Sequence, residues 1–287
     1  MSARYLTAID LSNLYDALVV DGFPGEKRIL VEGDSWASYP LPTTGNLACF
    51  VEVPQEMTVV LNLAWLGDQM VDMSKGRQFE LYQRLIHEQR WGYHWDLLFL
   101  VGGGNDLIGW IFNAAIRNPG FASTDPEDYV DRAALEEKLA ELKSCFKRYI
   151  DLRNNSEINR DTPILVQTYD YVVPRDQPPT ILGFEVSDHA WILPKYLARG
   201  IDDPEMQKRS LWILLDEMSD MLIDLAGEEE NFHVADTRGT LEVVGPDYNR
   251  IDGDWRDEMH PSARGYRKLT EERINPLIGQ IVHNGSR

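Results

Sequence analysis

Ser35 is the residue in this chain with the clearest capacity for chemistry. It lies in the run Gly33-Asp34-Ser35-Trp36, directly after the apolar stretch 29–31. Open α/β sheets place their reacting groups in the loops that follow the carboxyl ends of strands, so a serine hydroxyl here is a candidate nucleophile. Gly, Asp and Ser are also ordinary turn residues, so the motif alone is a weak indication. The serine needs a base within hydrogen-bond reach before it can attack near neutral pH.

A candidate base lies near the end of the chain. Asp257 and His260 are three residues apart in a segment that continues into Pro261. Imidazole, with an ordinary pKa near ~6.5, can accept a serine proton, and a carboxylate on its other nitrogen fixes its tautomer and orientation. One turn of chain can hold both side chains on the same side. We therefore predict Ser35, His260 and Asp257 as nucleophile, base and orienting acid.

Two further positions offer hydrogen-bond donors of the kind that stabilise an oxyanion. Gly67 follows an apolar run, and Asn105 stands in the sequence Gly-Gly-Asn-Asp. The backbone N–H of a glycine and the side-chain amide of an asparagine are both used in oxyanion holes. We expect these two groups to act together with the backbone N–H of Ser35. Asp34 and Asp106 are expected to hold their loops rather than to react.

The four segments resemble the SGNH hydrolases, also called the GDSL esterase and lipase family. That family has Gly-Asp-Ser in its first block, a glycine in its second, Gly-x-Asn-Asp in its third and Asp-x-x-His-Pro in its fifth. All four occur here in order, between Gly33 and Pro261. Trp36 stands where many members have leucine, which alters the pocket wall and not the chemistry. The resemblance implies carboxylic-ester hydrolysis through an acyl-enzyme intermediate.

Short apolar runs, each followed by turn residues, predict parallel strands that are buried on both faces. They occupy residues 28–31, 58–63, 97–101, 164–168 and 232–235. Helices between them predict a single domain with a three-layer α/β/α sandwich, and the resemblance implies a flavodoxin-like sheet of order 2-1-3-4-5. Ser35, Gly67 and Asn105 each follow one of the first three strands. They should therefore meet at the carboxyl edge of the sheet.

Helix signals fill the intervals between the strands. A helix is predicted over 125–154, because Asp125 is a capping residue followed by proline and acidic residues. A second is predicted over 204–226. The final helix should follow Pro261 and be bent by Pro276, which cannot donate a backbone hydrogen bond.

Composition favours an ordinary globular enzyme. The chain has 287 residues, of which 43% are hydrophobic, and this is enough for a substantial core. The net charge of −19 argues against nucleic acid as a partner, because phosphate binding needs a basic surface. The negative net charge also disfavours strongly anionic membranes or substrates as partners, although a local patch of the surface can differ in charge from the average. No cofactor and no metal are expected, because no histidine pair has ligand spacing.

The cysteines and the chain start bear on location. Cys49 and Cys145 both lie in apolar settings and are predicted to be free thiols. No run is long and apolar enough to cross a membrane, and no signal-like segment is recognised at the start. A cytoplasmic location is the default expectation. A secreted or periplasmic location applies instead if a signal peptide has been removed.

Residues 171–199 form a long connection that is rich in prolines and aromatic residues. It is either a lid or pocket wall over Ser35, or an insertion packed against the side of the domain. Tryptophans near the motifs suit a pocket for an acyl chain, an aromatic ester or the face of a sugar, but any single one more often fills the core. These tryptophans are Trp36, Trp65, Trp110 and Trp255.

Other site types fit the sequence poorly. A dinucleotide fingerprint would need a third glycine where Leu107 stands, and an α/β-hydrolase elbow would need a second glycine at Ala37. His189 and His233 are lone and are interpreted as structural. We predict a serine hydrolase acting on a small-molecule ester such as an acyl ester, an acetylated sugar or a lysophospholipid. An acyltransferase with the same triad, or a catalytically silent acyl- or glycan-binding protein, is the alternative.

Overall fold

A parallel β-sheet forms the centre of the molecule. The computed structural model describes residues 4–7, 26–39, 45–87, 94–181, 184–185, 187–248, 250 and 253–284. The strands of the sheet are β1 (Arg4–Thr7), β2 (Lys27–Gly33), β3 (Thr58–Asn62), β4 (Leu97–Val101), β5 (Ile164–Gln167) and β8 (Phe232–Ala235). A separate antiparallel pair consists of β6 (Thr180–Ile181) and β7 (Phe184–Glu185).

The strand order in the sheet is β1-β3-β2-β4-β5-β8, and all neighbours are parallel. All residues of β3, β4 and β5 are buried, as expected of strands covered on both faces. The predicted five-stranded order 2-1-3-4-5 is confirmed by β3, β2, β4, β5 and β8. The prediction missed β1, which adds a sixth strand beside β3. Its four residues are too few for apolar periodicity to reveal a strand.

Helices flank this sheet. They are α1 (Ser35–Ser38), α2 (Met70–Met73), α3 (Gly76–His87), α4 (Gly104–Asp106), α5 (Phe112–Ala115), α6 (Arg132–Asn154), α7 (Leu193–Leu197), α8 (Pro204–Glu228), α9 (Ala263–Leu269) and α10 (Asn275–Asn284). Short 3₁₀ turns occur at Leu47–Cys49 and Pro126–Tyr129, and π-helical turns at Leu107–Ile111 and Thr270–Ile274. Over the described residues, every helix is too short or too polar to cross a membrane.

The long helix α6 begins later than the sequence predicted. Asp125 accepts a hydrogen bond from the backbone N–H of Glu127, but it caps only the 3₁₀ turn. The cap of α6 is Asp131, which accepts from the N–H of Ala134. The predicted end near Asn154 is confirmed. Two capping aspartates in succession explain the error, because only one of them precedes a continuous apolar stripe.

The helices divide between the two faces of the sheet. The chain moves in one direction from β2 to β3 and in the other from β4 through β5 to β8, so right-handed crossovers place the connecting helices on opposite faces. Helices α3 and α6 pack together through Tyr82 and Tyr149, whose ring centroids lie 5.0 Å apart. On the β2–β3 side, Asn275 of α10 donates to the carbonyl of Phe50. This arrangement confirms the three-layer prediction.

The last helix is irregular next to Pro276. Residues 263–284 are helical throughout, with the π-helical turn Thr270–Ile274 directly before this proline. Because proline has no N–H, the regular hydrogen-bond ladder is interrupted at this point.

Among the cysteines, Cys145 is buried, Cys49 is half-buried, and both are free thiols as predicted.

Glu32 on β2 is a buried carboxyl group beneath the sheet edge. Its Oε1 accepts from Gln78 Nε2 at 2.6 Å and from the N–H of Gly33 at 2.9 Å. Its Oε2 has no hydrogen-bond partner among the described residues. Burial raises the pKa of Glu32 to about 8, and the two hydrogen bonds only partly oppose this. Burial therefore favours the protonated form of this carboxyl group in the folded protein.

Replacing Glu32 by glutamine should make stability less sensitive to a rise in pH between 4.5 and about 8. The folded pKa lies above the ordinary value of 4.5, so the folded state holds an extra proton between those values, and unfolding free energy falls as pH rises through about 8. Relative to wild type, E32Q should gain about 3–5 kcal/mol between pH 5 and pH 9. Urea denaturation at both values tests this. E80Q, at an exposed position of α3, is the control. If the unfolding free energies of E32Q and wild type changed with pH in parallel, the prediction would be contradicted.

Candidate active site

Ser35 is positioned by the end of β2. A Cβ atom on Gly33 would lie 2.4 Å from the carbonyl oxygen of Val101, so only glycine allows β2 and β4 to approach this closely. Asp34 then caps the short helix α1 by accepting from the backbone N–H of Trp36 at 2.9 Å. Ser35 is the first residue of that helix and is 6% exposed.

His260 lies against Ser35 although 225 residues separate them. Its Nε2 is 2.8 Å from Ser35 Oγ, and its Nδ1 is 3.0 Å from each carboxylate oxygen of Asp257. Asp257 Oδ1 also accepts from the backbone N–H groups of Met259 and His260. Burial opposes ionisation of Asp257, but His260 and these N–H donors hold its pKa below the ordinary value. The three side chains form a continuous hydrogen-bonded line.

The predicted oxyanion donors face the same cavity as Ser35. Asn105 lies in α4, and one N–H of its amide donates to the carbonyl of Asp68 at 2.9 Å. Gly67 has φ +80°, which favours glycine, while a Cβ there would meet nothing within 4 Å. Glycine is therefore required at this position by the backbone conformation and not by lack of space. Both residues line the cavity together with Ser35 and His260.

The sheet has the strand order that the resemblance to the SGNH hydrolases implies, and the motif residues meet at one edge of it. Ser35, Gly67 and Asn105 follow successive strands at one sheet edge, and Asp257 and His260 precede the last helix. A scan against protein-family models and a search of curated proteins each find no match. A search of solved structures finds proteins that align with most of this chain at low sequence identity.

Three of these solved structures illustrate the likeness. An extracellular lipase from Streptomyces rimosus is 13% identical, with 89% of this chain and 99% of that chain covered and a TM-score of 0.48. A family 3 carbohydrate esterase from Clostridium thermocellum is 11% identical, with coverages of 90% and 99% and a TM-score of 0.48. A carbohydrate acetylesterase family member from Sinorhizobium meliloti is 14% identical, with coverages of 90% and 99% and a TM-score of 0.44.

The cavity beside Ser35 has a volume of about 400 Å³. Its wall is mostly apolar and aromatic, with a few polar groups around Ser35, as is common for small-molecule sites. The residues that line it are Ser35, Tyr39, Leu66, Gly67, Gln69, Asn105, Ile108, Gly109, Trp191, Lys195, Met259 and His260.

The segment 171–199 contributes two of these lining residues. Trp191 packs edge-on against His260, with ring centroids 5.2 Å apart, and Lys195 lies in α7. The interpretation of this segment as a pocket wall therefore fits its described part. His189 is exposed, and burial together with Arg153 lowers the pKa of the half-buried His233; neither histidine lines the cavity.

The tryptophans singled out from the sequence lie outside the main cavity. Trp36 and Trp255 are buried and belong to a cluster of aromatic rings, in which Trp36 lies 4.7 Å from Tyr169 between centroids. Trp65 is 69% exposed, and Trp110 donates to Asp106. The core interpretation holds for Trp36 and Trp255. The aromatic wall of the cavity is instead supplied by Tyr39 and Trp191.

Asp34 and Asp106 hold their loops, as the sequence predicted. Asp34 Oδ2 accepts from the hydroxyl of Tyr169 at 2.5 Å, and burial raises the pKa of Asp34 to about 7. Asp106 accepts from the backbone N–H groups of Met70 and Val71, which fixes α2 against α4. Burial raises the pKa of Asp106 against the effect of these bonds.

Sequence reasoning missed the residues that surround Asp257. The Tyr39 hydroxyl donates to Asp257 Oδ2 at 3.2 Å, and its ring lies 4.4 Å from the His260 ring between centroids. Arg175 donates to the backbone carbonyl of Asp257. Neither residue belongs to a motif segment, so only their contacts reveal them.

Glu258 joins the motif loop to the segment 171–199. Its carboxylate accepts from four backbone N–H groups at 2.7–3.1 Å, those of Arg175, Trp191, Ile192 and Leu193. Burial raises the pKa of Glu258 to about 7, while these four donors favour the ionised form. Because Glu258 directly follows Asp257, the pocket wall and the His260 loop are held in one unit.

Replacing Glu258 by glutamine should loosen this unit. The four N–H groups are shared between the two carboxylate oxygens of Glu258, and glutamine has one oxygen and one NH₂ group in their place. The N–H groups that bond to the replaced oxygen therefore lose their acceptor and face an NH₂ group. At pH 8 we expect E258Q to lose about 2 kcal/mol or more of unfolding free energy and to show a raised KM for esters. Urea denaturation and steady-state kinetics measure both. E205Q, at an exposed site on α8, is the control, and unchanged stability and KM in E258Q would exclude this role.

Proposed function

We propose that this protein is a serine hydrolase that cleaves carboxylic esters through an acyl-enzyme intermediate. The observation that carries the proposal is the line from Ser35 Oγ to His260 Nε2, at 2.8 Å, and on from Nδ1 to Asp257, at 3.0 Å. This arrangement is the one that converts a weakly nucleophilic hydroxyl into an attacking group. It opens into a cavity large enough for a small ester.

The first half-reaction transfers the acyl group to Ser35. Ser35 Oγ attacks the ester carbonyl carbon while its proton passes to His260 Nε2, and Asp257 stabilises the imidazolium. The carbonyl oxygen becomes an oxyanion that accepts from the N–H groups of Ser35 and Gly67 and from the Asn105 amide. When the tetrahedral intermediate collapses, the bond to the leaving alcohol breaks and His260 returns the proton to that oxygen.

The second half-reaction releases the acid. Water gives a proton to His260 and attacks the acyl-enzyme carbonyl carbon, again forming an oxyanion in the same place. Collapse of that intermediate breaks the bond to Ser35 Oγ, which recovers its proton from His260. No other group is required for proton balance.

Covalent labelling tests the nucleophile directly. A fluorophosphonate probe should add once per chain, and peptide mapping should place the adduct on Ser35, because only an activated serine attacks this phosphorus centre. Protein unfolded in urea is the control and should not react. Hydrolysis of p-nitrophenyl esters from acetyl to palmitoyl, followed in parallel, gives the acyl length that fits the cavity. A folded protein that neither reacts with the probe nor cleaves any ester would contradict the proposal.

Replacing Asn105 by alanine should lower kcat by about 10²–10³-fold with a small change in KM. The amide keeps one N–H on the carbonyl of Asp68, which leaves the other for the oxyanion. Steady-state kinetics on the best p-nitrophenyl ester measures the effect, with circular dichroism as the check of folding. N113A changes an exposed asparagine on α5 and is the control. An unchanged kcat in N105A would remove Asn105 from the oxyanion hole.

A further inference from the structure

Lys195 is the cationic side chain in the wall of the cavity. The other lining residues are neutral side chains or glycines, apart from His260. Lys195 lies in α7, within the segment that Glu258 fastens to the His260 loop. It therefore shares a compartment of about 400 Å³ with Ser35. A fixed charge in a mostly apolar cavity strongly influences which molecules enter it.

The Lys195 ammonium group is held by neutral partners. It donates to the backbone carbonyl of Ile108 and lies 5.7 Å from the centroid of the Phe112 ring. Arg199 lies 5.1 Å from the same ring, so the protein brings a second cation to this place. Burial and Arg199 lower the pKa of Lys195, while the negative charge of Glu258 raises it. The carbonyl of Ile108 and the face of the Phe112 ring also favour the charged form.

Lys195 differs from every other lysine of the chain. Each of the others forms an ion pair with a carboxylate within 4 Å, and Lys195 forms none with the described residues. Those other lysines are Lys27, Lys75, Lys138, Lys143, Lys147, Lys208 and Lys268. An ammonium group has three N–H donors, and the carbonyl of Ile108 uses one. In a protein of net charge −19, a half-buried cation with no carboxylate of the described residues within 4 Å is an exception that has a cost.

The backbone that holds Lys195 is itself irregular. Ile108 lies in the π-helical turn Leu107–Ile111, and Gly109 has non-helical angles of φ −87° and ψ −106°. Such turns occur frequently at functional sites. Ile108 and Gly109, three and four residues after Asn105, both line the cavity. The irregular turn thus offers a carbonyl to the ammonium group at the cavity wall.

We propose that Lys195 binds an anionic group of the ester, so that the substrates of this site are esters that carry a carboxylate or a phosphate. This inference rests on the proposed esterase function and names its substrate class. The ammonium supplies the charge complement, and the apolar wall receives the rest of the substrate. Because the charge is local, it selects such substrates despite the acidic average of the protein.

Matched pairs of esters test this. Mono-p-nitrophenyl glutarate and p-nitrophenyl pentanoate share acyl length and differ by a terminal carboxylate. 1-Butanoylglycerol 3-phosphate and 1-butanoylglycerol differ by a phosphate on the alcohol side. For each pair, the ratio of kcat/KM for the anionic to the neutral ester is measured in wild type, K195M, K195R and K147M. Lys147 is exposed and outside the cavity, so K147M controls for net charge.

We expect K195M to lower at least one ratio by about 10-fold or more, while K195R and K147M keep it within about 3-fold. A fall in the glutarate ratio places the anion on the acyl side, and a fall in the phosphate ratio places it on the alcohol side. Both ratios unchanged in K195M, with the neutral esters still cleaved, would overturn the inference but not the esterase function.

If wild type shows no ester turnover, binding measurements distinguish the proposal of an anion site at Lys195 from the proposed esterase function. If wild type cleaves none of these esters, the fluorophosphonate probe judges the esterase function, and calorimetric titration with glutarate and glycerol 3-phosphate judges Lys195. A loss of affinity of about 10-fold or more in K195M for either anion supports an anion site. Equal affinities, or no binding to wild type, would overturn it.

Discussion

Replacing Ser35 by alanine is expected to lower kcat on p-nitrophenyl esters by about 10⁴-fold or more. The hydroxyl is the group that forms the covalent bond in the proposed reaction, and water cannot take its position on His260 with the same orientation. The variant should fold normally, because Ser35 is small and its hydroxyl has His260 as its partner. Steady-state kinetics on the ester that wild type prefers measures the loss.

Ser38 provides a matched control for this prediction. It lies in the same short helix, and its hydroxyl donates to the carbonyl of Asp34 at 2.8 Å rather than to His260. S38A should keep kcat within a few-fold of wild type. Activity that persists in S35A at more than about one hundredth of the wild-type value would point to another nucleophile.

Replacing Asp257 by asparagine is expected to lower kcat by about 10⁴-fold. The amide of asparagine can donate to Nδ1 of His260, which favours the tautomer that carries its proton on Nε2 and cannot accept from Ser35. The imidazolium of the transition state also loses its adjacent negative charge. With the amide oxygen in the place of Oδ1, the backbone N–H groups of Met259 and His260 keep their acceptor, so the loop geometry should persist.

The measurement is kcat on the same ester, with thermal unfolding as the check of the fold. D254N is the control, because Asp254 is a buried carboxylate three residues earlier whose partners include Lys268 and the N–H of Glu242. It should change kcat far less than D257N does. Similar losses in both variants would show that the effect comes from the loop as a whole and not from the orientation of His260.

The strands were predictable because burial on both faces leaves a direct trace in sequence. Continuous apolar runs mark β2 to β5 and β8, and the strand order then follows from the crossover rule and the resemblance. The start of α6 was not predictable from the sequence. Asp125 and Asp131 are both good capping residues, and only the packing of the apolar residues that follow selects between them. The edge strand β1 gave no periodic signal.

By itself, the sequence determined which groups meet at the sheet edge. Ser35, Gly67 and Asn105 follow consecutive parallel strands, and parallel strands share a carboxyl edge, so their convergence is a property of chain order. Local motifs also determined that Asp257 and His260 lie together. These predictions rest on short-range geometry and topology, which a linear pattern can encode.

Only the tertiary structure decided what surrounds those groups. Tyr39, Trp191 and Lys195 lie outside the four motif segments, and Glu258 occupies a position that the last motif leaves open. The roles of these residues depend on contacts between positions far apart in the chain. Glu258, for example, meets the N–H groups of residues 191–193 across 65–67 positions. Such contacts arise from how whole elements pack. The partner of a buried polar group is the group that lies next to it in the folded chain, whatever the separation of the two in sequence.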